Sequence, residues 1–342
     1  MARLKKLLSP SFIVPAVLSV GIIVALLAFA DVKTVVALIA RFPLGNLLWF
    51  LALMAVYELV RYAQWHFLLE ELGVRAPLRP QVFSFVMSEF SRNLPVGAYF
   101  QNYLLQQSTG AAFSLTSAAT TLILVSEVAL CLIGVVILGV GAWTAEARGA
   151  IIGGVALLLL LIWAYTRLRR SSRLPEWIAE HKHLRKIADA AARFREGEVT
   201  LFHPRILIIQ GVLGAAYLLI ASAGLYVIMQ GLGPAGRAIT FPQAVAVYLF
   251  TLATATILPL PEVGGVAALL ALGLTRNIAV SAMLLNRVLS MAFALVSAVV
   301  TIAVLPGELR AVLKARGQEQ EQAPAHQGIT AGTPARVSGE QS

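Results

Sequence analysis

The chain has 342 residues, of which 58% are hydrophobic and only 13% are charged, and its mean hydropathy is +0.80. A soluble core of this size does not need so much apolar surface, so the composition excludes an ordinary soluble domain. The formal charge of +10 would suggest nucleic-acid binding in a soluble protein. Here the charge falls in particular loops, so it reports membrane orientation and predicts no nucleic-acid partner.

Six apolar runs approach or exceed the roughly 20 residues that cross a bilayer. In chain order they cover 12–30, 44–68, 115–142, 149–165, 206–231 and 278–305. The first run follows a basic start and ends in Ala28-Phe29-Ala30, which resembles a cleavable signal peptide. Its length favours an uncleaved first span instead. The sequence therefore predicts an all-α, polytopic helical membrane protein with about six full spans.

Basic residues are concentrated in alternate loops. They precede the first run, follow the second and fill the segment 167–205, whereas the intervening loops are poorer in them. By the positive-inside rule, both termini and this segment are cytoplasmic, in a multi-pass protein of the cell (inner) membrane. Apolar residues of 174–194 form a helical stripe within the segment. That stripe fits either a helix at the anionic leaflet or a helix packed on the bundle.

Two apolar segments are interrupted by proline and glycine at matching places in the two halves of the chain. The interruptions read Arg92-Asn93-Leu94-Pro95-Val96-Gly97 and Leu258-Pro259-Leu260-Pro261-Glu262-Val263-Gly264-Gly265. Proline removes a backbone donor, and freed backbone groups at membrane depth need protein or water around them. Segments 80–107 and 241–274 are therefore predicted to be re-entrant helical hairpins. The alternative makes each half-segment a tilted full span, which gives ten crossings.

With their flanking spans, the two hairpins predict an inverted repeat, with halves of about 44–142 and 206–305. The repeat lies in one transmembrane domain over 1–306, and a cytoplasmic tail follows over 307–342. From about Gln318 onward the tail is rich in Gln, Glu, Gly, Pro and Ala and has no apolar periodicity. The tail is therefore predicted to be disordered.

An ionisable residue at bilayer depth costs several kcal/mol unless it is partnered or wet, so each one is a candidate site residue. Glu58 and Arg61 are three apart on one helix face and can pair. Glu89 and Arg92 repeat that spacing at the first break, where Asn93 also suits a wet region. A self-neutralising pair with no binding role is the alternative for Glu58 and Arg61.

Two further charges have no local partner in their apolar runs. Glu127 and Arg287 lie in different spans, and the simplest electrostatic arrangement brings such opposite charges into one shared cavity. Glu262 falls inside the second break, where Gly264 and Gly265 permit a tight turn and close approach to a ligand. A half-helix beginning near Gly265 would aim its amides at an anionic group such as a phosphate. The alternative for Glu262 is a loop residue at the outer interface.

At these residues the chain resembles the transmembrane region of lysylphosphatidylglycerol synthases and the wider flippase-like family of bacterial and archaeal membrane proteins. The resemblance extends over about residues 10–306. It is carried, in order, by the Arg61-to-Trp65 patch, the Leu94-Pro95-Val96-Gly97 break, the helix of Glu127, and the 259–265 break followed by Arg287. The chain departs from the family pattern at Ala98, Cys131 and Ala268, where the family usually has carboxylates.

The resemblance implies movement of a phospholipid or lipid-linked polar head group between leaflets, so the leading hypothesis is a lipid flippase and not an enzyme. Its expected partners are membrane lipids, with anionic or lipid-linked head groups. In this hypothesis Arg92 and Arg287 bind the anion, while Glu127 and Glu262 couple a proton or bind amine groups. The predicted substrate-binding residues are Arg61, Glu89, Arg92, Asn93, Asn102, Glu127, Glu262, Gly264, Gly265 and Arg287.

Three other functions stay open at this point. A secondary transporter of a small soluble ion or metabolite would use the same inverted repeat with no lateral gap. A membrane-embedded transferase acting on a lipid carrier would need acidic loops outside the membrane, where Asp31 and Glu146 are the evident candidates. A non-catalytic scaffold is the third. No metal-ligand spacing, phosphate-binding loop or dinucleotide fingerprint occurs, so no metal or cofactor is predicted. A homo-oligomer or a lipid-synthesis enzyme partner is left open.

Overall fold

The computed structural model describes residues 29–91, 97–139, 182–255 and 261–322, and every regular element within them is helical. A short 3₁₀ turn covers Gly97–Tyr99. The helices are α1 (Val32–Ala40), α2 (Leu44–Glu71), α3 (Leu78–Ser91), α4 (Phe100–Thr109), α5 (Phe113–Gly139), α6 (Lys182–Leu201), α7 (Pro204–Gly231), α8 (Pro234–Arg237), α9 (Phe241–Ala255), α10 (Pro261–Ala271), α11 (Arg276–Val304) and α12 (Pro306–Gln322).

Within the described ranges, four helices are long and apolar enough to cross a membrane: α2, α5, α7 and α11. At about 1.5 Å per residue, a helix of 28 residues such as α2 exceeds the roughly 30 Å of a bilayer core. These helices match four of the six predicted spans, and the prediction of an all-helical, multi-pass membrane protein is confirmed. The runs 12–30 (apart from Phe29 and Ala30) and 149–165 lie outside the described residues.

The first broken segment folds back on itself. Ser88 of α3 donates a hydrogen bond to Gln101 of α4 (3.2 Å), and Ser91 donates one to the carbonyl of Gly97 (3.3 Å). The donor moves from residue 88 to residue 91 along the chain while its acceptor moves back from residue 101 to residue 97, so the two arms, α3 and α4, are antiparallel. We call residues 78–109 hairpin 1, whose break at 92–96 lies outside the described residues.

The second broken segment has the same form. Gly264 of α10 faces Thr254 of α9, and Gly265 faces Thr251, so these two helices are also antiparallel. We call residues 241–271 hairpin 2, whose break at 256–260 is likewise outside the described part. The arms of the two hairpins have 14, 10, 15 and 11 residues, which at about 1.5 Å per residue are too short to cross a bilayer.

Gly264 offers a test of how closely the arms of hairpin 2 must approach. A Cβ atom there would overlap the Thr254 side chain, with its Cβ at 2.8 Å. We expect Gly264→Ala to destabilise the fold by about 1–3 kcal/mol, as overpacking of a tight interface does, and to lower the melting temperature in detergent. Gly211→Ala in α7, where a Cβ meets nothing within 4 Å, is the matched control and should not lower it. Equal melting temperatures for the two variants would contradict this packing.

The two halves of the chain are interleaved. Helices α2 and α7, the first span of each half, pack on each other, and Gln64 of α2 donates a hydrogen bond to Gln210 of α7 (2.7 Å). The first arm of each hairpin packs on the last span of the other half: α3 lies on α11, and α9 lies on α5. At the second contact, Leu249 of α9 fills the space above Gly134. Each hairpin is therefore positioned by both halves.

Two apolar cores form at opposite ends of the α2–α7 pair. One contains Trp65 and Leu68 of α2 with Ile206 at the start of α7. The other contains Phe50 of α2 with Leu225 and the following turn of α7. The middle of each long helix lies between the two cores, and Glu58, Glu127 and Arg287 occur near that level.

Helices α6 and α12 complete the bundle. Gly197 of α6 packs against Ala118 of α5, which favours the packed alternative for the amphipathic segment over residues 192–201; residues 174–181 lie outside the described ranges. Helix α12 corrects the prediction of a disordered tail from residue 307. It forms because Leu309 and Val312 pack against Phe83 of hairpin 1, an apolar spacing that the polar composition conceals. Residues 323–342 are outside the described part.

Candidate functional site

A cavity of about 200 Å³ lies between the two apolar cores. Its wall includes residues of α2, α5, α7 and α11 together with both hairpins. Glu89 comes from the last turn of α3 and Glu262 from the first turn of α10, so the tips of both hairpins reach this one cavity. The charged residues that line it are Glu58, Glu89, Glu127, Glu262 and Arg287.

Arg61 closes one side of the cavity by holding the tip of hairpin 1. Its Nη1 lies 3.1 Å from both carboxylate oxygens of Glu89 and 3.2 Å from the hydroxyl of Tyr57. The guanidinium also lies 5.5 Å from the ring centroids of Tyr57 and Tyr217, a cation–π distance. The ion pair is nearly inaccessible, with 8% and 10% of the two side chains exposed. Arg61 thus pairs with Glu89, not with the neighbouring Glu58 that the sequence spacing allows.

Arg287 holds the tip of hairpin 2 in a similar way. Its Nη1 lies 3.2 Å from a carboxylate oxygen of Glu262, and 22% of the arginine and 13% of the glutamate side chain are exposed. This second pair is therefore more accessible than the pair of Arg61. Because Glu262 lies in the first turn of a helix that begins at Pro261, the half-helix starts four residues earlier than the sequence suggested.

Glu58 and Glu127 supply the remaining carboxyl groups. Each lies at the middle of its helix, α2 and α5, and each lines the cavity. Glu127 interacts electrostatically with Arg61 and adjoins Tyr217. Glu127 and Arg287, the two residues without a local partner in the sequence, do line the same cavity.

The structure places other predicted site residues away from the cavity. Asn102 is completely buried and exchanges hydrogen bonds with Thr120 of α5, which fixes hairpin 1 against that span. Gly264 and Gly265 face Thr254 and the Met283 side chain, so both glycines allow close packing of α10 against its neighbours. Arg92 and Asn93 lie outside the described residues.

Several cavity residues are absent from the sequence-based prediction. Tyr57 and Tyr248 contribute hydroxyl groups, and Asn286 and Ser290 extend a polar stripe along α11 around Arg287. The spacing of Asn286, Arg287 and Ser290 on one helix face is a signal that the sequence contains. The tyrosines carry no such signal, because an aromatic residue in an apolar span is ordinary packing material.

Part of the cavity wall is apolar. Met54 of α2 and Met291 and Ala294 of α11 belong to this part, and Met291 is 41% exposed. The two helices contact each other at few positions along their length. We call the cavity wall at Met54 and Met291 the apolar slot; it borders the charged groups of the same cavity.

The family model described as the lysylphosphatidylglycerol synthase TM region matches residues 14–309. This range includes every helix that lines the cavity. No curated protein matches the sequence.

Proposed function

The chain belongs to the family of lysylphosphatidylglycerol synthase transmembrane regions, and on that basis we propose that it is a membrane lipid flippase. It moves a phospholipid or a lipid-linked polar head group between leaflets and makes or breaks no covalent bond. The observation that carries this proposal is the charged cavity at the middle of the spans, whose wall includes the apolar slot at Met54 and Met291. Bare charge in hydrocarbon is costly, and a charged cavity at that depth lowers the cost for a head group.

The size of the cavity limits which part of a lipid can enter it. About 200 Å³ equals roughly seven water volumes of about 30 Å³, which suits a compact polar head group but not the chains of a lipid. The chains must therefore remain outside, and we place their route along the bilayer at the slot of Met54 and Met291. A transporter of small soluble solutes has no need of an apolar route.

Of the two arginines that hold the hairpin tips, Arg287 is the better placed to bind an anionic head group. Its pair with Glu262 is partly exposed, whereas the pair of Arg61 is enclosed by two tyrosine rings. An incoming phosphate can take the place of the Glu262 carboxylate on the Arg287 guanidinium, which donates to both groups with the same geometry. Displacing Glu262 also releases the tip of hairpin 2.

We place hairpins 1 and 2 in the membrane as re-entrant elements of an inverted repeat, with both termini cytoplasmic. Their short arms and the crossed packing of α3 on α11 and α9 on α5 support this arrangement. The distribution of basic residues supports this orientation of the termini. In this arrangement the hairpins enter from opposite sides and meet at the cavity.

The direct test uses purified protein in lipid vesicles with a labelled phospholipid in one leaflet. We expect the protein to speed the transfer of label between leaflets relative to protein-free vesicles, while trapped soluble tracers stay inside. Uptake of soluble tracers without lipid transfer would instead support the secondary transporter. Transfer equal to that of protein-free vesicles would exclude the flippase.

The slot itself can be closed by a cross-link. The chain has a single cysteine, Cys131, which is buried, so cysteines introduced at Met54 and Met291 can be joined by a short bifunctional reagent with little background. We expect the cross-linked Met54→Cys/Met291→Cys protein to lose most lipid transfer and each single variant to keep it. Full transfer after complete cross-linking would show that lipid chains take another route.

A further inference from the structure

Glutamates outnumber arginines around the cavity. Four glutamates line it with one arginine, and a second arginine contacts one of these glutamates: Glu58, Glu89, Glu127 and Glu262, then Arg287, and Arg61 on Glu89. Each arginine makes an ion pair with one hairpin tip. The phenols of Tyr57 and Tyr248, which line the same cavity, are ordinarily uncharged at neutral pH. Over these described groups, the cavity therefore has more acidic than basic side chains.

Glu58 is the carboxyl group for which this surplus matters most. Its Oε2 atom is buried and has no hydrogen-bond partner among the residues that the structure describes. Arg61, one turn along the same helix, is turned toward Glu89, and Glu89 itself lies close enough to act on Glu58 electrostatically. An ionised carboxylate without donors at this depth is costly. Glu58 is therefore expected to bind a cation, and to bind it reversibly.

The arrangement of the carboxyl groups favours a proton over a metal ion. Hard cations such as Ca²⁺ need several oxygen ligands at once. Across the described ranges, no three His, Cys, Asp or Glu side chains are grouped closely enough to hold a metal. A proton needs only one oxygen. We propose that Glu58 takes up a proton that crosses the membrane together with the lipid head group.

The coupling between proton uptake by Glu58 and movement of the lipid head group follows from charge. It rests on the flippase function proposed above. When Glu58 is ionised, it repels a phosphate that approaches Arg287 in the same cavity. When it carries a proton, it is neutral and can donate a hydrogen bond to a phosphate oxygen. Phosphate and proton therefore favour each other's binding, and this linkage is reciprocal. One proton enters on one side and returns to water on the other, and no bond of the lipid changes.

The first test imposes a pH difference across lipid vesicles that contain the purified protein. We expect labelled phospholipid to accumulate in the leaflet that faces the less acidic side. With one proton per lipid, the limiting ratio between leaflets is about tenfold per pH unit. Lipid transfer that reaches equal labelling of both leaflets under the gradient would overturn the proposal while leaving the flippase intact.

The Glu58→Gln variant removes the proton site and keeps the shape of the neutral side chain. We expect it to transfer lipid between leaflets but to give equal labelling with or without a gradient. Glu70→Gln, on the exposed end of the same helix α2, is the matched control and should respond as the unmodified protein does. A gradient response in Glu58→Gln equal to that of the control would reject Glu58 as the proton site.

A second measurement does not depend on lipid transfer. Purified protein in detergent is acidified from alkaline pH to a pH just above the ordinary titration range of an exposed glutamate, and the protons taken up are counted. We expect Glu58→Gln to take up about one proton fewer than the Glu70→Gln control, as removal of a single titrating group requires. Equal uptake would reject the proton site. A difference in uptake with no lipid transfer by any variant would retain the site and reject the flippase function.

Discussion

Replacing Arg287 with alanine should lower lipid transfer by about 10- to 100-fold, as expected from the loss of a charge-assisted hydrogen bond of about 1.5–3 kcal/mol. The variant also leaves Glu262 in the cavity without its cationic partner, and this carboxylate then repels an incoming phosphate. The measurement is the rate of labelled-phospholipid transfer in vesicles at matched protein density. Arg276→Ala, at the exposed start of the same helix α11, should keep the full rate.

A double variant separates two roles for Arg287. If the arginine binds the phosphate, Arg287→Ala/Glu262→Gln should stay slow, because the anion site is missing even when the repelling charge is gone. Recovery of the normal rate in the double variant would mean that Arg287 serves only to neutralise Glu262. An unchanged rate in Arg287→Ala alone would count against the proposed head-group site as a whole.

Replacing Arg61 with alanine should cost stability more than any other single change at the cavity. The Arg61–Glu89 pair is almost fully enclosed, and removing one member of such a pair strands the other charge, at a cost of about 3–5 kcal/mol. We expect a clear fall in melting temperature in detergent for Arg61→Ala. Arg205→Ala, at the exposed start of α7, is the matched arginine control and should melt normally.

The same pair allows a double-mutant test. Adding Glu89→Gln to Arg61→Ala removes the stranded charge, so the double variant should recover much of the lost melting temperature. If it melts at the same temperature as Arg61→Ala, the destabilisation comes from the lost contacts of Arg61 with Tyr57 and Tyr217. That result would show that the packing around Arg61, and not its charge, stabilises the site.

The elements that the sequence predicts well are those set by local chemistry. The lengths of the apolar runs located the four described spans, because a span must be apolar over the thickness of the bilayer. The prolines located the breaks of both hairpins, because proline lacks the backbone donor that a continuous helix needs. Contacts between distant segments were harder. The spacing in the sequence predicts an ion pair between Arg61 and Glu58, but in the fold Arg61 pairs with Glu89, which lies 28 positions further along the chain. Nothing local to Arg287 points to Glu262.

Small and aromatic residues are another group whose contacts the sequence does not reveal. Gly264 and Gly265 suggested a ligand, because a glycine beside a break can serve either a turn or a close contact, and only the position of α9 decides between them. Tyr57 and Tyr217 enclose Arg61, yet in an apolar span a tyrosine gives no sign of its neighbour. Helix α12 was missed because two apolar side chains suffice to fix it on hairpin 1.

Helix α11 has a mechanical consequence for both hairpins. At its middle, Arg287 holds the tip of hairpin 2, and α3 of hairpin 1 packs along the same helix. Beyond its end, α12 braces hairpin 1 through Val312 and Phe83. A tilt of this one helix would displace both hairpins together. In the proposed flippase, the movements of the two hairpins would therefore be coupled through α11, and no separate gate would be needed for each.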